Sequence, residues 1–399
     1  MATRDSRSVF DSLLAQTHVQ YALLLPDDRH NEIPSALATL LFLGEAPETL
    51  QTAYNIMKDD TAPWEPSPMS IADEETKSRF LGDIRFQRAF MTFFSMENGR
   101  YAGNSKALAI SHLFMGNAPL IYGLFSDIGR PLTLLSDGIE LRTAILVMES
   151  LTLSAVDWME PMRELLTDPQ PAVPSNEYLP PEDILGRIAY DGRFSGVMKA
   201  GPGFHGVWHV FSNPTAKAAI VEYMRRLDTR DLALLLQQMS ALSVLLLCAT
   251  HKPGQPAFDS FLGRLPTCVN STRVILENLV EEESHKMLLL RGLWLVMLLA
   301  YVTQLRPVID GKLLVSEELA GESRSWEAIY DQLRSQATTE GKYGDFQFLR
   351  TVRTLRELSK AYDSVHGRLY FHAAWKLMNQ WREWTGLGPS REVMLNIRL

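Results

Sequence analysis

The sequence predicts an all-α protein, in which residues 1–399 form a single large multi-helix domain. Two observations carry this prediction. Apolar residues recur at the spacing of one helix face through most of the chain, whereas the alternating pattern of strands is scarce. Because both halves of the chain contain many apolar helices of similar character, we expect one domain rather than two, at a length that allows either.

The predicted helices follow one another along the chain. Pro34–Leu43 and Pro47–Met57 each begin with a proline, which the first helical turn tolerates, and Glu48 suits the positive end of the second helix. The apolar run Met287–Val302 contains Arg291 and is shorter than a bilayer span, so we interpret it as a buried core helix. The remaining helices are predicted at Leu81–Glu97, Ser105–Leu124, Gly138–Trp158, Ala216–Met224, Thr229–Ala249, Ser271–Gln304, Ser325–Gln336, Phe346–Val365 and Leu369–Trp384.

Two segments interrupt this pattern. Leu166–Asp183 is rich in proline, which favours an extended connector. Arg193–Asn213 is rich in glycine and aromatic residues and is predicted to be a long structured loop, in which Gly206–Phe211 is a candidate short strand. Loops of this length in a compact domain are often functional.

Composition limits the classes of partner and compartment. The net charge is −8, and no block of five or more lysines and arginines is present, which disfavours nucleic acid and anionic membranes as partners. Cys248 and Cys268 give no disulfide framework and suit a reducing compartment. The N-terminus lacks the apolar core of a signal peptide. We expect a cytoplasmic protein, and homo-oligomerisation is plausible although no sequence signature indicates it.

Familiar cofactor motifs are incomplete. Gly201–Gly206 matches G-x-G-x-x-G, but no strand precedes it and no helix start follows it, so we interpret it as a flexible active-site loop. His205 and His209 are four residues apart without the glutamate of a zinc-protease motif. Glu282-x-x-His285 has no second copy, as a di-iron bundle would require, and its charges favour a solvated helix turn.

Three groups of stretches together carry a resemblance to a known family. They are Arg29–Gly44 with Leu50–Tyr54, Arg130–Leu141 with Glu149–Trp158, and Cys248–Gly254 with Asp259–Phe261 ahead of Leu289–Trp294. They resemble the questin-oxidase-like family, whose members act on anthraquinones and related polyketides. The resemblance implies a helical protein of secondary metabolism that encloses an apolar cavity.

The departures from the family pattern bear on the reaction. In metal-using members, several histidines are thought to hold a non-haem iron. Here Glu32 stands at the second histidine of the first motif, Arg130 and Leu134 replace a His-Pro-x-x-His pair, Asp157 occupies a further histidine position, and Arg264 lies near another. An arginine at a ligand position repels a cation, so we expect no metal and no cofactor.

With these departures, the chain is more similar to the hetero-Diels–Alderases of fungal tropolone–sesquiterpene (meroterpenoid) pathways. That resemblance implies dehydration of a tropolone alcohol to a quinone methide, followed by cycloaddition with a humulene-type terpene. The first step needs a general acid at the leaving hydroxyl and cations near the tropolone oxygens. The candidates are Asp157 or His30 as acid–base group, with Arg130 and Arg264 as oxygen-binding cations. A structural ion pair is the alternative interpretation of the arginines and the aspartate.

Candidate substrate-binding residues complete the prediction, and the expected partners are hydrophobic small molecules. Trp158, Trp208 and Trp375 are candidates for apolar walls, although core packing is the more common role of tryptophan. His205 lies on the predicted covering loop. His372 and Lys376 lie one turn apart on the last predicted helix.

Two other functions remain open at the level of the sequence. The first is a questin-oxidase-type oxygenase that acts on an aromatic polyketide with iron or reduced nicotinamide. The second is a non-catalytic carrier of a hydrophobic pathway intermediate.

Overall fold

The computed structural model describes residues 3–25, 29–167, 174, 177–203, 206–314, 325–339 and 345–388. Within these residues the chain forms nineteen α-helices and only two strands, each of two residues, which confirms the all-α class. Contacts between residues divide the chain into two compact units, residues 1–163 with 271–285, and residues 164–270 with 286–399. The prediction of a single domain with an apolar cavity stays a prediction.

The helices of the first unit include the nine that begin the chain. These are α1 Arg4–Gln20, α2 Ile33–Leu43, α3 Pro47–Met57, α4 Glu74–Arg79, α5 Gln87–Arg100, α6 Ser105–Phe114, α7 Ile121–Leu124, α8 Ser126–Leu141 and α9 Ala144–Val156. Three helices contain residues of both units. They are α10 Glu160–Thr167, α15 Ser260–Asn278 and α16 Glu283–Thr303.

The second unit holds the other helices and both strands. These are α11 Pro181–Ala189, α12 Val207–Ser212, α13 Pro214–Arg226, α14 Leu232–Cys248, β1 Phe258–Asp259, α17 Trp326–Thr339, α18 Phe346–His366, α19 Leu369–Gln380 and β2 Trp384–Thr385. Helices α18 and α19 form a hairpin through Gly367, whose φ is 61°, and α14 packs on α19. The two strands pair in parallel, with Phe258 opposite Trp384.

Helix α9 is the centre of the first unit. Nearly all of its residues are buried, and it packs against α1, α5, α6, α7 and α8. The approach of α7 depends on Gly123, because a Cβ at that position would lie 1.8 Å from the carbonyl oxygen of Ser154. Burial on all sides explains why apolar residues lie on every face of α9 rather than along one stripe.

Helix α8 has an irregular beginning and an abrupt end. Asp127, Ile128 and Gly129 have left-handed backbone with φ of 42°, 52° and 68°, so the regular helix starts at about Pro131, in the first turn where proline is favoured. Arg142 is also left-handed, with φ 51°, and closes the helix. The predicted helix Gly138–Trp158 was therefore wrong as a single element, because Arg142 and Thr143 separate α8 from α9.

Three further predictions were wrong in their bounds. The helix predicted over Ser105–Leu124 is interrupted between Phe114 and Ile121, and Leu279–Glu282 interrupt the one predicted over Ser271–Gln304. Gly206–Phe211 was predicted as a strand, but Val207–Ser212 is helical, so that the predicted loop Arg193–Asn213 contains a helix. The first, polar helix α1 was missed; the side chain of Thr3 accepts from the Ser6 amide and caps it.

Other predicted features hold or fall partly outside the described residues. Helices α2, α3 and α18 begin within one residue of prediction. Of the connector Leu166–Asp183, residues 168–173 and 175–176 lie outside the described part, while α10 ends at Thr167 and α11 begins at Pro181. Among the described helices, α16 alone is long and apolar enough to cross a membrane, and 78% of its apolar window is buried inside the protein. Cys248 and Cys268 are both buried and do not form a disulfide bond.

Candidate functional site

Five ionisable side chains from three segments of the first unit meet at one place. His30 and Glu32 precede α2, Asp127 and Arg130 flank the left-handed turn at the start of α8, and Asp157 caps the C-terminus of α9. These five residues are called the His30 cluster below. Because the segments are distant in sequence, only the packing of α2, α8 and α9 brings their side chains together.

The segment that carries His30 is held in an extended form before α2. His30 forms an isolated antiparallel bridge with Leu24. The amide of the Asn31 side chain donates to the carbonyl oxygen of Ala22 at 3.1 Å, and its oxygen accepts from the Ile33 amide at 3.1 Å. Asn31 thus gives an amide at the start of α2 a hydrogen-bond partner and fixes the backbone next to His30.

The left-handed turn is tied down on both sides. The Thr133 hydroxyl donates to the carbonyl oxygen of Gly129 at 3.0 Å, and the Ser150 hydroxyl of α9 donates to that of Pro131 at 2.7 Å. Left-handed backbone is unfavourable for Ile128, which has a β-branched side chain. Such strain persists only where the surroundings over-determine it, and it is typical of functional positions.

The contacts within the His30 cluster converge on one carboxylate oxygen. Oδ2 of Asp127 lies 3.3 Å from Nε2 of His30 and accepts from Nε of Arg130 at 2.9 Å. The same imidazole nitrogen lies 3.5 Å from Oδ2 of Asp157. Nη1 of Arg130 pairs with Oε1 of Glu32 at 2.5 Å. The result is a chain of ionisable side chains that runs from Glu32 through Arg130, Asp127 and His30 to Asp157.

Burial gives this cluster unusual proton affinities. The Asp157 side chain keeps 21% of its surface accessible, and that of His30 keeps 7%. The pKa of Asp157 is raised from 3.8 to about 8, chiefly by burial and in addition by the negative charge of Asp127, while Arg130 opposes the change. Burial also works against the charge of Arg130, but Glu32 and Asp127 raise its pKa above the ordinary value. A pKa of about 8 keeps Asp157 largely protonated at neutral pH, in a cluster that also contains the cation Arg130.

The structure brings together three of the four residues predicted as catalytic, namely His30, Arg130 and Asp157. Arg264 is not among them. It lies on α15 in the residues of the second unit, where its Nε donates to the side-chain oxygen of Gln347 at 3.5 Å. The roles of all four stay predictions.

The predicted aromatic walls lie in different surroundings. Trp158 follows Asp157 directly and packs edge-on against Tyr122, with 5.8 Å between ring centroids. Trp208 lies on α12, is 40% exposed and meets Phe211 edge-on. Trp375 is half-buried on α19. Among the other tryptophans, Trp294 is fully buried in the core.

The remaining predicted binding residues lie on α19 or outside the described part. Lys376 is 5% exposed, and its amine donates to the carbonyl oxygens of Cys248 at 2.9 Å and Leu313 at 2.6 Å. Burial lowers its pKa. His372 lies one turn earlier, and burial likewise lowers its pKa. His205 lies outside the described residues.

Sequence reasoning missed Asp127. Its one local signal was its position three residues before Arg130, the spacing of a helical ion pair. Glu32 was noticed only as a departure from the family pattern, although it holds the guanidinium of Arg130.

Comparison with protein families shows where this chain belongs. The fold and the site define a helical protein with a buried acid–base cluster. The family model described as questin oxidase-like matches residues 29–355, which include the whole His30 cluster, and the chain belongs to this family. Membership indicates an enzyme of secondary metabolism. No curated protein matches the chain.

The residues of this site do not fit the non-haem iron of metal-using family members. The guanidinium of Arg130 occupies the space between the carboxylates of Glu32 and Asp127, where a cation would have to lie. Among the described residues, no group of three or more histidine, cysteine, aspartate or glutamate side chains is arranged to hold a metal ion. The chemistry proposed for this site therefore uses its own side chains and no metal.

Proposed function

We propose that this protein is a metal-independent pericyclase of secondary metabolism. It dehydrates a tropolone alcohol to a quinone methide and guides the inverse-electron-demand hetero-Diels–Alder addition of that intermediate to a humulene-type terpene. The observation that carries the proposal is the partly accessible carboxyl of Asp157, with a raised pKa, in the same cluster as the fixed cation Arg130.

The dehydration balances without an oxidant or a reductant. The Asp157 carboxyl donates its proton to the leaving hydroxyl oxygen, the carbon–oxygen bond breaks, and water departs. The hydroxyl proton of the tropolone passes to a base, for which the imidazole of His30 is the candidate because the ring lies beside the Asp157 carboxyl. The product is a neutral quinone methide. A carboxyl with a pKa of about 8 holds the proton that this step needs at neutral pH.

Arg130 supplies the positive charge near the tropolone oxygens. Arginine carries five N–H donors, and the contacts with Asp127 and Glu32 use only part of them. Because its two carboxylate partners hold the side chain in place, the guanidinium needs no rearrangement as negative charge develops on the oxygens. The second step requires only that both partners be held in a reactive pose and that water be excluded.

A direct test uses a hydroxymethyl-bearing tropolone and humulene with the purified protein. We expect enantiomerically enriched adduct, formed at a rate at least about tenfold above the spontaneous rate. Asp157→Asn should remove most of the acceleration. Racemic adduct at the spontaneous rate with the wild-type protein would support the carrier instead.

Glu149→Gln is the matched control. Glu149 is also a buried carboxyl of the first unit whose pKa is raised by burial, and it too faces a histidine, with Oε1 3.2 Å from Nδ1 of His18. The control should keep the acceleration. Equal losses in Asp157→Asn and Glu149→Gln, with equal losses of melting temperature, would contradict a specific role for Asp157.

A further inference from the structure

We infer that Asp127 is the positioning residue of this site: one of its carboxylate oxygens contacts both His30 and Arg130 and thereby sets the candidate base and the cation relative to each other. This inference rests on the proposed function. It adds a residue that neither the sequence motifs nor the family pattern indicates.

The geometry of Oδ2 is the first support. It lies 3.3 Å from Nε2 of His30 and accepts from Nε of Arg130 at 2.9 Å, so one atom joins two groups from different segments. A hydrogen bond to Nε2 sets the ring orientation of a histidine and the nitrogen that carries its proton. Asp127 thus links the imidazole of His30 to the guanidinium of Arg130 through a shared contact.

The backbone is the second support. Asp127 lies at the first of three consecutive left-handed positions, and the third is the glycine that such a turn favours. Aspartate tolerates this conformation better than most residues, but Ile128 does not. The turn directs the Asp127 carboxylate back toward Arg130, three residues later, and across to His30.

Charge is the third support. The described charged groups that face Asp127 come from each packed segment: His30 and Glu32 before α2, Arg130 of α8 and Asp157 at the end of α9. The negative charge of Asp127 disfavours ionisation of Asp157, while Arg130 favours it. Asp127 therefore favours the protonated form of Asp157, and it also holds His30 and Arg130 in position.

Asp127→Asn tests the inference because it keeps the shape and the left-handed tolerance of the residue and removes its charge. We expect kcat to fall about tenfold or more with little change of KM, since the substrate contacts remain. The alkaline limb of the pH–rate profile should move to lower pH by about half a unit or more. Asp127→Glu, which restores the charge, should recover part of the rate and return the limb toward the wild-type position.

A second measurement does not depend on turnover. In protein with ¹³C-labelled aspartate carboxyls, the Asp157 resonance should titrate at a lower pH in Asp127→Asn than in the wild type. Asp191→Asn is the matched control, because Asp191 also accepts from an arginine Nε, that of Arg193 at 2.9 Å. It should leave the titration of Asp157 and the pH–rate profile unchanged.

The outcomes separate the two claims. If Asp127→Asn lowers the melting temperature but leaves the Asp157 titration in place, Asp127 is only a structural residue and the inference is wrong. If the titration moves as expected but the wild-type protein does not accelerate the reaction, the positioning role stands and the proposed function fails.

Discussion

Nε2 of His30 lies 3.5 Å from Oδ2 of Asp157, although the two residues are more than a hundred positions apart in sequence. The contact joins an extended segment before α2 to the C-terminal cap of α9. It places a base candidate next to an acid candidate whose proton is retained by burial and by a neighbouring carboxylate. The proposed acid–base chemistry of the site depends on this pair.

The rate of the dehydration should fall as pH rises through about 8. Only the protonated form of Asp157 can donate to the leaving hydroxyl, and its pKa is raised to about 8. Each further pH unit should then lower the rate about tenfold until the spontaneous reaction dominates. A pH–rate profile at saturating substrate measures this limb. A limb that is unchanged in Asp157→Asn would show that another group titrates.

Asp157→Asn should stabilise the fold at alkaline pH while it abolishes the activity. Because the folded state raises the pKa of Asp157 above its ordinary value, the folded protein binds the proton more tightly than the unfolded chain does, and stability is lost as pH rises from about 4 to about 8. The amide is neutral at every pH and removes this cost. We expect the variant to melt about 2–4 °C above the wild type at pH 9, with a much smaller difference at pH 4. A difference of the opposite sign at pH 9 would mean that the carboxylate is stabilised by its surroundings.

Arg130→Gln should destabilise the protein by about 2 kcal/mol. It leaves the carboxylates of Asp127 and Glu32 without the cation that both contact, and Arg130 is mostly buried. Glu32→Gln should cost less than about 1 kcal/mol, since the Glu32 side chain is 45% exposed. Denaturant unfolding of both single variants and the double variant measures the coupling. If the two single changes are simply additive, the 2.5 Å contact contributes no coupling in solution.

Gly123→Ala should destabilise the first unit by about 2 kcal/mol or more. The added Cβ would lie 1.8 Å from the Ser154 carbonyl oxygen, so α7 must move away from α9. Gly99→Ala is the control. Gly99 lies in α5 with nothing within 4 Å of its Cβ position, and alanine there should be neutral or stabilise by up to about 1 kcal/mol. Thermal unfolding distinguishes the two, and similar effects of both would contradict the close approach of α7 and α9.

Lys376→Met should lower stability with no selective effect on KM. The amine of Lys376 is committed to the carbonyl oxygens of Cys248 and Leu313, so its removal leaves two buried acceptors without that donor. The expected loss is about 1–3 kcal/mol. His372→Gln, one turn away, is the comparison variant. If Lys376→Met raises KM at unchanged stability, the prediction that Lys376 binds substrate is favoured over this structural interpretation.

The predictable part of the fold was the part with local signals. Helices α2 and α3 begin near prolines that suit a first turn, and their predicted bounds hold. The break between α8 and α9 has no such signal, because Arg142 takes the left-handed conformation that glycine usually marks. The apolar periodicity therefore predicted one continuous helix across the boundary between α8 and α9, which are separate helices that pack against each other.

The residues of the candidate site were also predictable only in part. His30, Arg130 and Asp157 were predicted because they stand at or beside positions where the family carries histidines, and the fold brings them together. Asp127 was not predicted, since its role depends on a strained turn that places one oxygen between two other segments. The role of Arg264 stays a prediction; its side chain contacts Gln347 in the second unit.

The central claim is that this member of the questin-oxidase-like family forms its product by acid-catalysed dehydration and cycloaddition, without a metal or oxygen. The most direct measurement is the rate and enantiomeric excess of adduct formation from the tropolone alcohol and humulene, with chelator-treated protein in the absence of air. We predict that rate and selectivity equal those of untreated protein in air. Loss of both on chelation, with recovery on addition of iron, would contradict the account.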